Sequence, residues 1–358
     1  MQKNFYPYPV EFVDDVFGES AALRGFLKTD GGAKPKILLV ADENVVRHTE
    51  GLGVKIGRWV QSNDVELAGA PVVLSGGEKL KTDNLQSALR VVSAALEAKI
   101  GVNDYIVALG GGALLDVAGY AAAQVRGGVK LIRMPTTPAA MMDAAFASYA
   151  AVDGVNVKDA LRVPSVPEAV VIDVAFAATV LDGVWRAGFG EAVRFAAVSE
   201  SSLMKKLVKS AAGFKERDQE TMSQTIRSVV ASRLKKPSGD FAQWAAFRLE
   251  AMSGYKLPHG YAIPIGICID TAYAMLKGYI KEKDAELITG ALRECGALDG
   301  LQHSGHLLAK VDNLLFGLDA LKLSLGKSEI TLPAGVGKSK TESEIDRETM
   351  KAAFNLVK

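Results

Sequence analysis

The run "YIVALGGGALLDVAGYAAA", residues 105–123, restricts the possible folds of this chain more than any other stretch. An uninterrupted apolar run of strand length enters three consecutive glycines and continues into a helical pattern of small residues. That order is the βα unit of a parallel sheet, whose strands are buried on both faces and so lack alternation. Gly110, Gly111 and Gly112 leave no Cβ between the backbone N–H groups and whatever approaches the helix N-terminus. The turn suits a diphosphate, to which the helix dipole adds roughly half a positive charge. A tight βα turn without a ligand is the competing reading.

The rhythm recurs through the first half. "KILLVAD", "PVVLS", "VKLIRMP" and "AVVID" are further strand candidates, and "KTDNLQSALRVVSAALEAKI" is a helix with Thr82 or Asp83 as its N-cap. From about Val174 the strand-like runs stop, and "GEAVRFAAVSESSLMKKLVKSAA" opens a series of helical patterns. The expected class is α/β: an N-terminal Rossmann-like parallel-sheet domain over residues 1–174, then a mainly α-helical domain over 175–358. "LPAGVGKSKTESE" reads as a solvated loop before a last helix, "EIDRETMKAAFNLVK". Its "GVGKSK" lacks the spacing of a P-loop.

With 49% of 358 residues hydrophobic, a substantial core is available. Lys plus Arg (42) nearly cancel Asp plus Glu (41), leaving no global field for nucleic acid or an acidic membrane. The expected partner is a small molecule held by local clusters. The start, "MQKNFYPYPVEF", lacks a basic and then apolar leader, and no uninterrupted apolar stretch of about 18 residues occurs. A cytoplasmic location is expected. Cys268 and Cys295 have no metal-type spacing and read as buried free thiols.

Other motifs gather around the glycine turn. "ADENV" follows the first strand and offers Asp42 and Asn44 to ribose hydroxyls, "SGGEKLKT" follows the second and offers Glu78 and Lys81, and "MPTTPAAMMDAA" follows the fourth. All fall at strand ends, where parallel sheets bind ligands. Together with "VRGGVKLIRMPTT", "RAGFGEAVRFA" and "LPHGYAIPIG", this ordered set resembles the 3-dehydroquinate synthases and the wider sugar-phosphate cyclase family over most of the chain. Related glycerol and iron-type alcohol dehydrogenases share the glycine turn but usually carry an aspartate where this chain has Glu191, which favours the cyclase branch.

The resemblance implies that Asp42, Asn44, Glu78, Lys81, the three glycines, Asp116, Thr136 and Thr137 hold NAD. It places Asp143 in the catalytic centre, Arg126 on substrate phosphate across a homodimer interface, and Glu191 and His259 on zinc. Asp116 as a local cap and Glu191 as a helix-surface carboxylate are the plainer alternatives. The implied activity is that of a carbon–oxygen lyase. NAD oxidises one alcohol of a phosphorylated seven-carbon keto acid, phosphate leaves, the ketone is reduced again, and an internal aldol step closes a carbocycle.

Several positions depart from the family's pattern. The histidines of its "GHxxGHAIE" segment become Gln243 and Phe247, and the lysine and asparagine of "VGVKNGVN" become Val152 and Asp153. The glutamate of "HGEAVAIG" becomes Tyr261, and the lysine after the zinc glutamate becomes Arg194. Gln243 is a weak neutral third ligand, so a divalent metal is expected to bind poorly. Arg194 and Lys236, with Lys235 and Arg248, are the remaining cations for the catalytic centre. His303 and His306 read as the start of a surface helix. The expectation is an NAD-dependent sugar-phosphate cyclase with an altered substrate. An NAD-dependent polyol dehydrogenase and a non-catalytic NAD-binding homodimer are the alternatives.

Overall fold

The computed structural model describes residues 5–18, 22–154, 157–237, 239–299, 301–325 and 329–357, apart from the side chains at 30, 302–304, 322, 324 and 325. The chain forms two compact units, Tyr6–Val180 and Leu181–Lys358, the second taking in Phe5 as well.

In the first unit the apolar runs pair side by side. The strands are β1 (Val10–Val13), β2 (Lys36–Asp42), β3 (Glu66–Leu67), β4 (Val72–Leu74), β5 (Tyr105–Gly110), β6 (Lys130–Pro135) and, after a hairpin, β9 (Ala169–Asp173). They make one seven-stranded sheet in the order β1-β9-β6-β5-β2-β3, with β4 also beside β2. Every pairing is parallel; Ile37 to Ala41 of β2 faces Tyr105 to Leu109 of β5. Strands β5 and β9 are buried along their whole length, which explains their unbroken apolar sequence. The five strands expected from sequence are all present. The short β1 and β3 give too few residues for a pattern to stand out.

The intervening hairpin joins β7 (Tyr149–Gly154) and β8 (Val157–Pro164), antiparallel, with a bulge between Val152 and Gly154. It runs against the helix Gly112–Gln124 at Gly119, where an added Cβ would lie 2.9 Å from Ala150 Cβ. One helix start differs from expectation. The helix begins at Gln86, with Leu85 in left-handed backbone (φ 70°) as N-cap. Asp83 still serves it from outside, accepting from Ser87 N–H at 2.9 Å. The preceding Glu78–Leu80 takes up a 3₁₀ turn instead.

Among the described residues, the second unit is helical except for a hairpin of β10 (Ile330–Pro333) and β11 (Ser339–Glu342). This corrects two expectations, the end of strand structure near Val174 and the solvated loop at "LPAGVGKSKTESE". Only β10 turns apolar side chains inward, so the pair carries too little alternation to be read as strands. The helices Asp182–Ser199 and His259–Leu276 pack through glycine. An added Cβ at Gly260 would meet Gly183 O at 2.5 Å, and one at Gly190 would meet Ile263 at 2.8 Å. Only a residue without a side chain permits that approach.

Fully buried Asp270, within His259–Leu276, fixes the start of the helix Gln243–Met252. It accepts from Trp244 Nε1 and from the N–H of Ala242, each at 2.9 Å, and Ala242 itself holds a left-handed φ of 67°. Among the described residues, no helix is long and apolar enough to cross a membrane. Cys268 and Cys295 are buried free thiols, as the sequence suggested.

Burial pushes the Asp270 carboxyl up to about 7. Because the folded value lies above the unfolded one, its stabilising contribution is complete below about pH 4 and is lost as pH rises towards 7. In urea titrations, wild type should therefore lose roughly 2 kcal/mol relative to Asp270→Asn between about pH 5 and pH 8. A gap that stays constant with pH would show that Asp270 is ionised throughout.

Candidate functional site

Strand β5 delivers Gly110 to Gly112 to the N-terminus of the helix Gly112–Gln124. Gly111, the N-cap, has φ −72° and no side chain caps the helix. The glycines are needed for room rather than for left-handed backbone. Added Cβ atoms would meet Leu114 at 2.9 Å, Thr137 at 3.2 Å and Ala144 at 3.0 Å. Around them, Asp42 ends β2 and caps the next helix, accepting from Asn44 N–H at 2.8 Å and Asn44 Nδ2 at 3.1 Å. Burial raises its pKa. The turn at Gly76 passes so close that a Cβ there would lie 2.4 Å from Asp42 Oδ2. Thr136 is buried and its N–H donates to Gly110 O, while Thr137 caps the short helix Pro138–Met142. An uncapped helix start, a cradle that a Cβ would fill and polar groups at adjacent strand ends fit a dinucleotide.

Beside the turn lies a buried ionic cluster. Lys81 Nζ donates to Asp116 at 2.7 Å and to Asp159 at 2.5 Å, with Asp153 at 3.8 Å. Lys158 pairs with Glu78 and lies 3.9 Å from Asp153. Burial opposes the charge on Lys81, and Asp116, Asp159, Glu78 and Asp153 overcome that, holding its pKa well above normal. Asp159 sits in left-handed backbone, φ 53°, steadied by its N–H donating to Asp153 at 2.9 Å. Sequence reasoning named Glu78, Lys81 and Asp116 but missed Lys158 and Asp159. Their contacts span about 80 positions of chain, which local pattern does not encode.

Asp143 is half-buried at the end of Pro138–Met142. The turn after it is held by buried Arg133 of β6, which donates to Ala145 O at 3.2 Å, Ala147 O at 2.5 Å and Ser165 O at 2.9 Å. Arg133 is thus a third residue the sequence reading missed, a charged side chain inside an apolar strand being the available signal. Arg126 is exposed in left-handed backbone, with its Nε on Ile100 O at 3.0 Å.

In the second unit the glycine-mediated helix packing brings Glu191 and His259 together. His259 Nε2 lies 2.9 Å from Glu191 Oε1, and its Nδ1 lies 2.7 Å from Glu250 Oε1. Arg194 donates from Nε to Glu191 Oε2 at 2.6 Å and from Nη1 to Gly239 O at 2.7 Å. Burial works against the imidazolium, but Glu250 and Glu191 more than compensate, pushing His259 up to about 10. Gln243, Phe247 and Glu250 follow one stripe of Gln243–Met252, at i, i+4 and i+7. Phe247 lies 6.2 Å from the His259 ring, and Gln243 is half-buried in the first turn. That same spacing was the signal that could have found Glu250.

A catalytic zinc takes three protein donors and keeps a position open. Here both Glu191 oxygens and both His259 nitrogens are engaged, and Phe247 offers no donor. Among the described residues, no group of three His, Cys, Asp or Glu is arranged to hold a metal. The residues present do not fit a stoichiometric zinc site. Of the other cations, exposed Lys236 reaches Ser199 O at 2.9 Å and Arg248 reaches Asn313 O at 2.7 Å. His306 is exposed; the His303 side chain lies outside the described residues.

Comparison with known proteins identifies the family and the fold. Residues 71–186 match the 3-dehydroquinate synthase N-terminal family and residues 188–306 the 3-dehydroquinate synthase C-terminal family, together about two thirds of the chain. The chain belongs to the 3-dehydroquinate synthase-like, or sugar-phosphate cyclase, family. A 3-dehydroquinate synthase of Sulfurisphaera tokodaii is 28% identical over 236 residues, 63% of this chain and 66% of that protein, so the match spans just under two thirds of the relative. The fold is shared with 2-epi-5-epi-valiolone synthase of Streptomyces hygroscopicus subsp. jinggangensis, solved with NAD+ and Zn2+ (TM-score 0.84, 22% identity, 98% of this chain and 96% of that one). It is shared also with a 2-deoxy-scyllo-inosose synthase complexed with carbaglucose-6-phosphate, NAD+ and Co2+ (TM-score 0.81, 18% identity, 99% and 98%).

The Lys81 cluster yields a stability prediction. Lys81→Met leaves buried carboxylates without their cation and should cost roughly 3–5 kcal/mol in urea unfolding, with Asp159→Asn costing distinctly less. Equal stability of Lys81→Met and wild type would show that the cluster is not balanced by that lysine.

Proposed function

We propose that this protein is an NAD-dependent sugar-phosphate cyclase of the 3-dehydroquinate synthase type, a carbon–oxygen lyase eliminating phosphate during carbocycle formation, with an altered substrate. The observation that carries this reading is the uncapped glycine turn, ringed by Asp42, Asn44, Thr136 and Thr137 within a chain of that family. When bound, NAD supplies a reversible hydride acceptor.

In this reading, Gly110 to Gly112 admit the diphosphate to the helix N-terminus, and Asp42 orients ribose through its free-energy-favoured hydrogen bonding to hydroxyls. Lys81 and Asp116 are fixed before any ligand arrives, because the hairpin residues Asp153, Asp159 and Lys158 hold them and Glu78. Asp143, positioned through the turn that Arg133 holds, stands in the catalytic centre. Arg126 and Lys236 are the cations assigned to substrate, Arg126 towards a second copy in a homodimer, while Arg194, buried and engaged by Glu191 and Gly239, acts from within the catalytic centre.

The altered substrate follows from the hairpin. Val152, where the family has a phosphate-binding lysine, is only 1% exposed, and Asp153 beside it is part of the ionic cluster. An aliphatic side chain turned into the core contributes nothing to a dianion, for which each charge-assisted bond is worth roughly 1.5–3 kcal/mol. This hairpin favours a sugar phosphate whose phosphate reaches cations elsewhere over the seven-carbon keto acid phosphate.

Two measurements test the reading. Calorimetry should detect NAD binding to wild type and its loss in Gly111→Val, with thermal melts confirming that the variant is folded. Inorganic phosphate should be released, NAD-dependently, from a hexose or heptose phosphate and very slowly from the keto acid phosphate. Net NADH accumulation from an unphosphorylated polyol would replace the proposal by a dehydrogenase, and NAD binding without turnover of any of these compounds would replace it by a binding protein.

A further inference from the structure

We propose that Arg194 is the resident cation on Glu191 in the Glu191–His259–Glu250 cluster, its guanidinium occupying the carboxylate that a divalent metal would need. This goes beyond the cofactor reading and does not depend on it.

The argument begins with burial. Glu191 is 2% exposed and Glu250 is 0% exposed, and carboxylates so placed require positive charge in direct contact. Arg194, itself 1% exposed, supplies it to Glu191 at 2.6 Å through Nε, while Glu250 meets His259 Nδ1 at 2.7 Å. It does so from a fixed position, because Nη1 is bonded to Gly239 O at 2.7 Å, away from the carboxylate. That double engagement needs the planar fork of an arginine. A lysine, the family's residue at this point, presents a single compact charge and cannot hold both partners in the same way. Arginine also remains charged at any physiological pH.

The second part of the argument is the donor set. Glu191 has one oxygen on Arg194 and the other on His259, and His259 has its remaining nitrogen on Glu250. A metal ion would have to break these pairs and then sit beside a guanidinium that cannot leave, with like charges repelling strongly at low dielectric. The third donor that would make that exchange favourable is absent, since Gln243 is a weak neutral ligand and Phe247 offers none. Loss of metal donors and gain of a forked internal cation therefore describe one change in the chemistry of the site.

The test is metal content and thermal stability of the whole purified protein, with NAD binding measured separately so that the cofactor proposal stands or falls on its own. Wild type dialysed against zinc and then against buffer should retain less than about one tenth of an equivalent, and its melting temperature should not move with EDTA or excess zinc. Arg194→Gln removes the cation and should melt lower in EDTA, recover on adding zinc, and bind zinc at least about 10-fold more tightly than wild type. If Arg194→Gln cannot be obtained folded, Arg194→Lys, which keeps one charge and loses the fork, should show a smaller zinc-dependent rise that wild type lacks. Zinc retained by wild type through chelation would overturn the proposal. So would equal zinc responses in wild type and the variant that folds.

Discussion

Charge withdrawn from water must be matched within a few ångströms, and that requirement organises the functional parts of both units. In the first unit, Lys81 and Lys158 are enclosed by Glu78, Asp116, Asp153 and Asp159. In the second, Arg194 and His259 lie among Glu191 and Glu250. In each case the chemically valuable side chains are held by partners rather than by the backbone alone. Their geometry is set before a ligand arrives, which is what a site needs if binding is not to be consumed in ordering it.

Backbone space is the complementary constraint, and glycine serves it differently in the two units. At Gly110 to Gly112 the missing side chains keep a helix start accessible, and the nearest obstacles are Leu114, Thr137 and Ala144. At Gly190 and Gly260 they let two helices approach, and the obstacles are Ile263 and the carbonyl of Gly183. The first use leaves room at a helix start, the second sets the packing that brings Glu191 against His259. A bulky residue at either place would act on function, but by different routes.

The five central strands were readable because burial on both faces imposes a continuous apolar run, and the helices of the second half because their apolar spacing is regular. The β7–β8 and β10–β11 hairpins were not, since one strand of each pair is largely exposed and carries no alternation. Of the candidate site, Asp42, Lys81 and the glycines stood out by their places after strands, and Asp116 by resemblance to the family. Lys158, Asp159 and Glu250 did not, because what marks them is a partner far away in sequence. Glu250 alone left a local trace, the i+7 step from Gln243.

The departures from the family's pattern are compensated rather than scattered. Val152 is turned into the core where a lysine would be costly, Asp153 is used by both the backbone of Asp159 and the lysines, and Arg194 is anchored at both ends of its fork. Stability alone does not call for such clusters. Replacing a buried ion pair by well-packed apolar side chains is often neutral or favourable, so a chain selected only to stay folded would tend to lose them. Glu191, Glu250, His259 and Arg194 are nonetheless joined in one continuous set of contacts, so the cluster is better explained by the geometry it holds than by the stability it adds.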